Sequence, residues 1–556
     1  MSIFKKAQRA RKPLLAALLT LPALASAGPV PGAGSILQQI NPSLAPAPSG
    51  NQTGLRLQKP SGEKIPSTMS FQVKKINITG NTKFDAATLH ALVADAEGKN
   101  LTLTDLEGFA AKITDYYHAH GYPLARAIIP AQTIRDGEVT IEVIEANYGK
   151  VKLQNSSKVE DSLLQSTLSP LASGKVIEQQ SMDHALLLLS DIPGVAVSAT
   201  LLPGEAVGTS DLVVQAEPGP AAIGNVTLDN YGNAYTGRVR AGGAVSFFNL
   251  LHHGDTLSVN GLSTGSGMNY GRLSYESVLN GYGTTAGAAY SALHYILGDA
   301  LSNLNGHGTA QVGSLWSRHP FIRSRKYNLY GQIQYDRLKL QDHIDAASIR
   351  TDRHLDDWTA TLSGDHRHLA GIDTWSLAGT SGRVSFDDAA AGAADAATAR
   401  TAGGFAKWNL NYARLQGLGA NNVLYFAFTG QWSNQNLDPS QQMVAGGPYT
   451  VRAYDMGVLS GDEGYLGTLE FRREIARYHG NWQAIAFYDS ERVTVNRNPW
   501  VAGTNAATLS GGGVGLNWEG AKGWKMKTYL AFRTNSTQLV PAASSSRAWV
   551  EFGKGF

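Results

Sequence analysis

Residues able to make or break bonds are sparse in this chain and poorly spaced for it. Cysteine is absent from all 556 residues, which excludes thiolate metal sites and cysteine nucleophiles. Asp365, His366 and His368 come nearest to a metal-binding run. On a strand, alternation puts His366 and His368 on one face and Asp365 on the other, so no metal is expected. His252-His253-Gly254-Asp255 reads as a turn, because Gly-Asp punctuates two β segments there. Ser510-Gly511-Gly512-Gly513-Val514-Gly515 has the glycine density of a dinucleotide loop. No helix follows it, and the fingerprint needs one. There is no P-loop and no assignable Ser/His/Asp arrangement. Neither enzymatic activity nor a cofactor is expected.

Function must then come from the larger elements. Lys5, Lys6, Arg9, Arg11 and Lys12 precede an apolar run from Leu14 to Leu21, and Ala25-Ser26-Ala27 follows as a cleavage site. Residues 1–27 therefore read as a secretory signal peptide. The run falls short of the roughly 20 residues a spanning helix needs. Residues 28–69 are rich in Pro, Gly, Ser and Ala and read as linker, with one helical candidate at Ser35–Ile40.

Residues 70–147 read β-α-α-β-β. A strand over Phe71–Thr79 ends at Gly80-Asn81. Capped helices cover Asp85–Ala96 and Thr104–His120, and strands over Leu124–Pro130 and Glu138–Glu145 turn at Asp136-Gly137. Residues 148–218 repeat that order. The strand Lys150–Gln154 precedes helices Val159–Leu168 and Gln180–Asp191, and strands Val195–Leu202 and Asp211–Gln215 close the unit. Two units of about 70 residues with one element order form an internal repeat.

From residue 219 the texture changes to glycine- and aromatic-dotted β segments without a helix. Glycine, 61 of 556 residues, is about 11% against the ordinary ~7%. Only 16% of residues are charged. Sixteen segments can be marked between 221 and 556, and an even number of antiparallel strands returns both barrel ends to one side of a membrane. In the last segment Ala548, Val550, Phe552 and Phe556 share a face interrupted by Lys554, with Glu551 opposite. A water-soluble β-sandwich is the alternative for this region, and a long uninterrupted run ending on an aromatic fits a transmembrane barrel better. The net charge of +3 gives no reason to expect nucleic acid.

These residues resemble the two-partner secretion (type Vb) outer-membrane transporters, the TpsB or ShlB-FhaC-HecB haemolysin secretion/activation family. Gly121-Tyr122, Ile129-Pro130-Ala131-Gln132 and Asp136-Gly137 match its first POTRA unit. Ile192-Pro193-Gly194, Leu202-Pro203-Gly204 and Gly208-Thr209-Ser210-Asp211-Leu212 match the second. Asp229-Asn230-Tyr231-Gly232 with Thr236-Gly237 looks like the first barrel hairpin. Gly446, Gly447, Val451, Arg452, Ala453 and Tyr454 resemble the VRGY-type tip of a long inward-folded loop, here about 435–462, which leads through Gly461-Asp462-Glu463-Gly464 into the next strand. Ala453 stands where the family has Gly, which implies a tip that does not demand positive φ there.

The resemblance implies that Arg452 meets an inner-wall Asp in an F-x-D-x-G pattern, here Phe487, Asp489 and Glu491. Glu491 replaces the pattern's Gly. It shares a strand face with Asp489, so a second lumenal carboxylate near Arg452 is expected. Glu470 and Arg472 share a face on the preceding strand and extend the expected charge network. A guanidinium fork fixes a carboxylate's position more strictly than an ammonium. A 16-stranded barrel has an aqueous bore that leaks unless occupied, and loops as long as 435–462 are usually functional or disordered.

The expected fold is thus an all-β transmembrane barrel of about 16 antiparallel strands preceded by two α+β POTRA domains (β-α-α-β-β). The implied function is export of an unfolded cognate exoprotein, an adhesin, haemolysin or contact-dependent toxin, from periplasm to cell surface. POTRA sheet edges can receive a client as an added strand. Further implied partners are outer-membrane lipid and the barrel-assembly machinery, which would read Phe552 and Phe556 as a terminal-strand signal. The segment around Ser35–Ile40 resembles the family's N-terminal plug helix. An outer-membrane protein assembly factor and a passive porin are the competing readings. The first usually carries more than two POTRA units, and the second leaves residues 70–217 without a purpose.

Overall fold

The computed structural model describes residues 30–40, 54–57, 69–540 and 544–556. The expected signal peptide and most of the 28–69 linker lie outside the described residues. Sixteen antiparallel strands, from Ala222–Asp229 to Ser546–Gly555, form a closed barrel. The last strand pairs with the first, Phe552 opposite Leu228, and Gly224 and Phe556 exchange two main-chain hydrogen bonds of 2.9 Å at the seam. Alternation decides what each face meets. Ile333, Trp358, Leu377, Trp408, Leu469 and Leu530 point outward and are exposed, while Leu340, Leu355, Asp489 and Trp549 point inward and are buried. An apolar outer band around a polar bore is the pattern of a barrel that crosses lipid.

Two α+β units precede it. The first builds a sheet in the order Lys75–Thr79, Glu138–Ile144, Arg126–Ile128. Its helix Leu103–Ala119 is started by a Thr102–Asp105 capping box, and Leu106, Ile113 and Tyr117 pack on Val139, Ile141 and Val143. The expected single strand Phe71–Thr79 is two strands. Ser70–Gln72 pairs with Asn100–Thr102 and Lys75–Thr79 with Glu138–Ile144, because Val73 bonds to the 98–99 turn and Lys74 to Gly137. The expected strand Leu124–Pro130 shortens to Arg126–Ile128, bounded by Pro123 and Pro130, which lack the N–H a ladder requires. The helix placed at Asp85–Ala96 stops at Ala91 and resumes as one 3-10 turn at Ala94–Ala96.

Glu145 ties the first unit together, accepting from Thr82 N at 2.7 Å, Lys83 N at 2.8 Å and the Tyr117 hydroxyl at 2.7 Å. Burial pushes its carboxyl up, and the hydrogen bonds from Thr82, Tyr117 and Lys83 more than reverse this, leaving the pKa below its ordinary value. A depressed carboxylate stabilises the fold above its unfolded pKa of about 4.3 and loses that contribution as pH falls through the lower folded value. Glu145→Gln should therefore destabilise this unit by about 1–3 kcal/mol near neutral pH. Denaturant-dependent hydrogen exchange of strands 75–79 and 138–144 should show the loss, and it should narrow in acid.

The second unit has the sheet order Gly54–Leu57, Val195–Pro203, Thr209–Pro218, Asn147–Asn155. Its edge strand Val195–Pro203 is paired in parallel by Gly54–Leu57, Gly54 opposite Ser198. The helix Gln179–Ser190 buries Leu186 and Leu189 against this sheet. Beyond it, the unit is clamped to the near end of the barrel. Arg323 grips Asp191 at 2.6 and 2.9 Å, and Arg325 meets Asp183 at 2.8 Å. The His252–Asp255 run is a turn that presents the His252 carbonyl to Glu160 N at 2.9 Å.

One barrel feature departs from the sequence reading. A helix, Ala389–Ala397, sits between the ninth and tenth strands, started by Asp388 accepting from Ala390 N and Ala391 N. Its AAAGAADAA sequence has high helix propensity without an apolar stripe, so a search for β alternation passes over it.

Candidate functional site

The eleventh strand, Asn422–Ser433, pairs directly with the twelfth, Glu463–Ala476, and everything between them folds back into the bore. A short ladder, Met443–Ala445 with Leu459–Gly461, stiffens the stem. The tip turns on Gly446 (φ 85°) and Gly447 (φ 117°), left-handed values that a side chain would strain. Asp462 anchors the stem, accepting from Leu437 N at 3.0 Å, Gln442 Nε2 at 2.9 Å and Arg497 N at 2.8 Å.

Arg452 projects from this tip onto the inner wall. Nε and Nη2 donate to the two oxygens of Asp489 at 2.8 and 2.7 Å, and Nη1 donates to Glu470 at 2.6 Å. The guanidinium lies 3.5 Å above the Phe487 ring and 5.0 Å from that of Tyr529. Glu470 turns its other oxygen to Arg472 Nε at 2.7 Å. Arg452, Glu470 and Asp489 are all buried. Trp549 Nε1 donates to the Arg452 carbonyl at 2.7 Å, and the Tyr454 hydroxyl reaches Asn535.

Glu491 does not join Arg452. It is buried on the inner face beside Thr450 and the Gly446 backbone, and the second carboxylate on Arg452 is Glu470. Register explains the correction. Glu470 is opposite Phe487 and Thr468 opposite Asp489, so Glu470 and Asp489 flank the Phe487 ring under the guanidinium. Glu491 lies two residues further along, about 7 Å toward the far end.

Ala453 occupies the position of the expected Gly without positive φ. Its methyl is accommodated by the neighbouring strand of the same wall, where Gly511 is opposite Asp489 and a Cβ at Gly511 would approach the Ala453 Cβ to 2.3 Å. Gly513 likewise leaves room for the Phe487 ring, 2.7 Å from where a Cβ would stand. The glycine run of the fourteenth strand is thus a recess for the tip. Gly511→Ala should displace the tip and lower the thermal midpoint of the folded barrel, and Ala453→Gly in the same chain should restore it in part, the contact with the Phe532 carbonyl remaining. Heat-modifiable gel mobility checks both.

A second cluster forms around the segment likened to a plug helix, and its charged residues Asp342, Arg353 and Asp438 had no signal in the sequence beyond strand parity. The helix Ala33–Ile40 lies inside the bore, with Ala33, Ile36 and Leu37 packed on Tyr270, Leu293, Tyr295 and Leu340. Asp342 accepts from Ala33 N at 2.6 Å at the helix start, where the helix dipole favours an anion. Arg353 bridges Asp342 at 2.7 Å and Asp438 of the inward loop at 2.5 Å. Gln38 also donates to the Ser440 carbonyl of that loop. Helix and loop are therefore joined through one arginine of the wall. Phe552 faces outward, its ring stacked 5.0 Å from Trp524, and Phe556 is exposed at the seam.

The model of the haemolysin secretion/activation protein family ShlB/FhaC/HecB matches residues 208–518, more than half the chain. The chain belongs to that family. An ShlB-type POTRA model matches residues 71–146. The chain is 25% identical over 519 residues to the heme/hemopexin transporter protein HuxB of Haemophilus influenzae, covering 92% of this chain and 91% of HuxB. It is 24% identical to the outer membrane transporter CdiB of Escherichia coli, over 79% of this chain and 77% of CdiB. The solved CdiB from Escherichia coli superposes with a TM-score of 0.71 at 20% identity, covering 90% and 93% of the two chains. This family member is an outer-membrane transporter that secretes a partner exoprotein, with its POTRA units in the periplasm.

Proposed function

We propose that the structure is the resting state of an exporter for an unfolded adhesin, haemolysin or contact-dependent toxin. In it, the 435–462 loop and the helix Ala33–Ile40 together block the bore. Arg452 on Asp489 and Glu470 holds the loop, and Arg353 on Asp342 and Asp438 couples helix to loop. The observation that carries this reading is the second unit's edge strand. Gly54–Leu57 already adds to Val195–Pro203 as a strand, the main-chain mode by which an extended client binds with little demand on sequence. A client segment taking that edge displaces Gly54–Leu57, which is joined in sequence to the bore helix through residues 41–53. Capture and unblocking are then one exchange of strands.

The same reading assigns residues 1–27 to a signal peptide, 28–69 to plug helix and linker, 70–147 and 148–218 to the POTRA units and 219–556 to the barrel. The outward apolar band meets outer-membrane lipid, and Phe552 and Phe556 serve recognition by the barrel-assembly machinery. Deleting residues 54–57 should raise the affinity of the full chain for a fragment of the adjacently encoded large exoprotein several-fold, by removing a competitor. In cells, deleting the whole transporter should abolish export of that exoprotein. Normal export combined with depletion of other outer-membrane barrels would instead support an assembly factor.

A further inference from the structure

The hairpin between the eighth strand, Ile349–His368, and the ninth, Gly371–Phe386, turns at the periplasmic rim, on the same side as the 324–326 turn that holds the second POTRA unit. In its ladder His366 is opposite Asp373 and His368 opposite Gly371. His366 and His368 share the outward face marked by Trp358 and Leu362, both exposed. Asp365 points inward, is buried, and accepts from Asn328 Nδ2 at 3.0 Å. Parity along one strand removes Asp365 from any shared site. Pairing across the hairpin supplies a different carboxylate, Asp373, on the face the two imidazoles use.

One ligand atom from each of His366, His368 and Asp373 lies within 4.8 Å of the others. His368 Nε2 is 2.5 Å from Asp373 Oδ2, and the two imidazole centroids are 3.8 Å apart. Neighbouring strands orient this set. Tyr327 stacks on His366 at 4.1 Å with 14° between planes, fixing the ring. The Tyr412 hydroxyl donates to Asp373 Oδ1 at 2.9 Å, leaving Oδ2 toward the histidines. Outer partners that fix ligand orientation in this way are a regular part of metal centres. Arg414 Nη1 is 3.4 Å from Oδ1, a charge that weakens cation binding, but its Nη2 is engaged by Gln416 at 2.7 Å. His368 is exposed and the other two are partly so, and an ion can reach them from the periplasm.

We propose that His366, His368 and Asp373 form a binding site for a divalent transition ion of the zinc class. Two imidazole nitrogens and one carboxylate oxygen suit zinc, copper(II) or nickel(II), whereas calcium and magnesium prefer all-oxygen shells. Three protein ligands leave a fourth position to water. Bound there, the ion ties the ends of the two strands across their turn.

The test uses the untagged full-length chain in detergent, titrated with zinc chloride in competition with a chromophoric chelator. One zinc per chain is expected. The paired change His366→Gln with His368→Gln, and separately Asp373→Asn, should each remove that equivalent. Tyr412→Phe should weaken it by about tenfold or more. Changing His307 and His343, a rim pair at the opposite end of the barrel, should leave it intact. Heat-modifiable mobility confirms that each variant is folded. Copper(II) bound in place of zinc should show hyperfine coupling to two imidazole nitrogens, lost in the paired variant. No zinc bound by wild type above the detergent blank, or equal binding by the folded paired variant, overturns the proposal.

Discussion

Arg452→Ala should turn a channel that is mostly closed in planar bilayers into one with long-lived open states. The guanidinium spends three N–H donors on Asp489 and Glu470, and both carboxylates are buried. Removing it leaves Asp489 without a cation and Glu470 with Arg472 alone, and breaking a buried pair from one side costs about 3–5 kcal/mol. Water entering around the loop is the cheapest relief, and that opens the pore. The Phe487 ring also loses its cation, about 0.5–2 kcal/mol more. Arg452→Lys keeps the charge but not the fork that spans two oxygens of Asp489, so its conductance should fall between the two. Wild-type conductance in the alanine variant would sink the locking role of this residue.

Arg353→Ala should release the helix as well as the root of the loop. Its two partners, Asp342 and Asp438, belong to different obstructions, one holding Ala33 N and the other sitting in the loop. Loss of the arginine strands the buried Asp438 at about 3–5 kcal/mol, while the half-buried Asp342 keeps the Tyr295 hydroxyl at 2.6 Å, which softens the loss there. Because the chain has no cysteine, Ser35→Cys places one reporter on the helix. Maleimide should label it slowly in an otherwise wild-type chain and several-fold faster with Arg353→Ala. Arg452→Ala should speed labelling less, because it acts on the tip alone. Combining the two arginine changes should fall short of additive conductance, since both act through one loop. Equal labelling in all backgrounds would mean that the helix is held by its apolar contacts alone.

Much of this architecture was legible along the chain because it is periodic. Glycine- and aromatic-dotted segments, with period-two alternation plainest in the last, marked the sixteen barrel strands; capping residues marked the helices of the first α+β unit, and the repeat of its element order marked the second. Where local signals were traded for tertiary ones, reading along the chain slipped. The Phe71–Thr79 run changes partner midway to satisfy two different backbones, and Ala389–Ala397 is an alanine-rich helix held by the Asp388 cap and by Asp395 accepting from Thr401 N and Ala402 N.

The residue types at the lock, an arginine on a glycine-hinged loop and carboxylates on inward strand positions, were determined by sequence, because strand parity and the donor geometry of a guanidinium are local properties. Which carboxylate the arginine takes was decided by register between neighbouring strands, which set Glu470 and Asp489 on either side of Phe487 and carried Glu491 past it. Register likewise brought Asp373 to the two rim histidines, Gly511 beneath Ala453, and Asp342 to the start of the bore helix. No spacing along one chain encodes such meetings, because each depends on how far one strand slides against the next before the barrel closes.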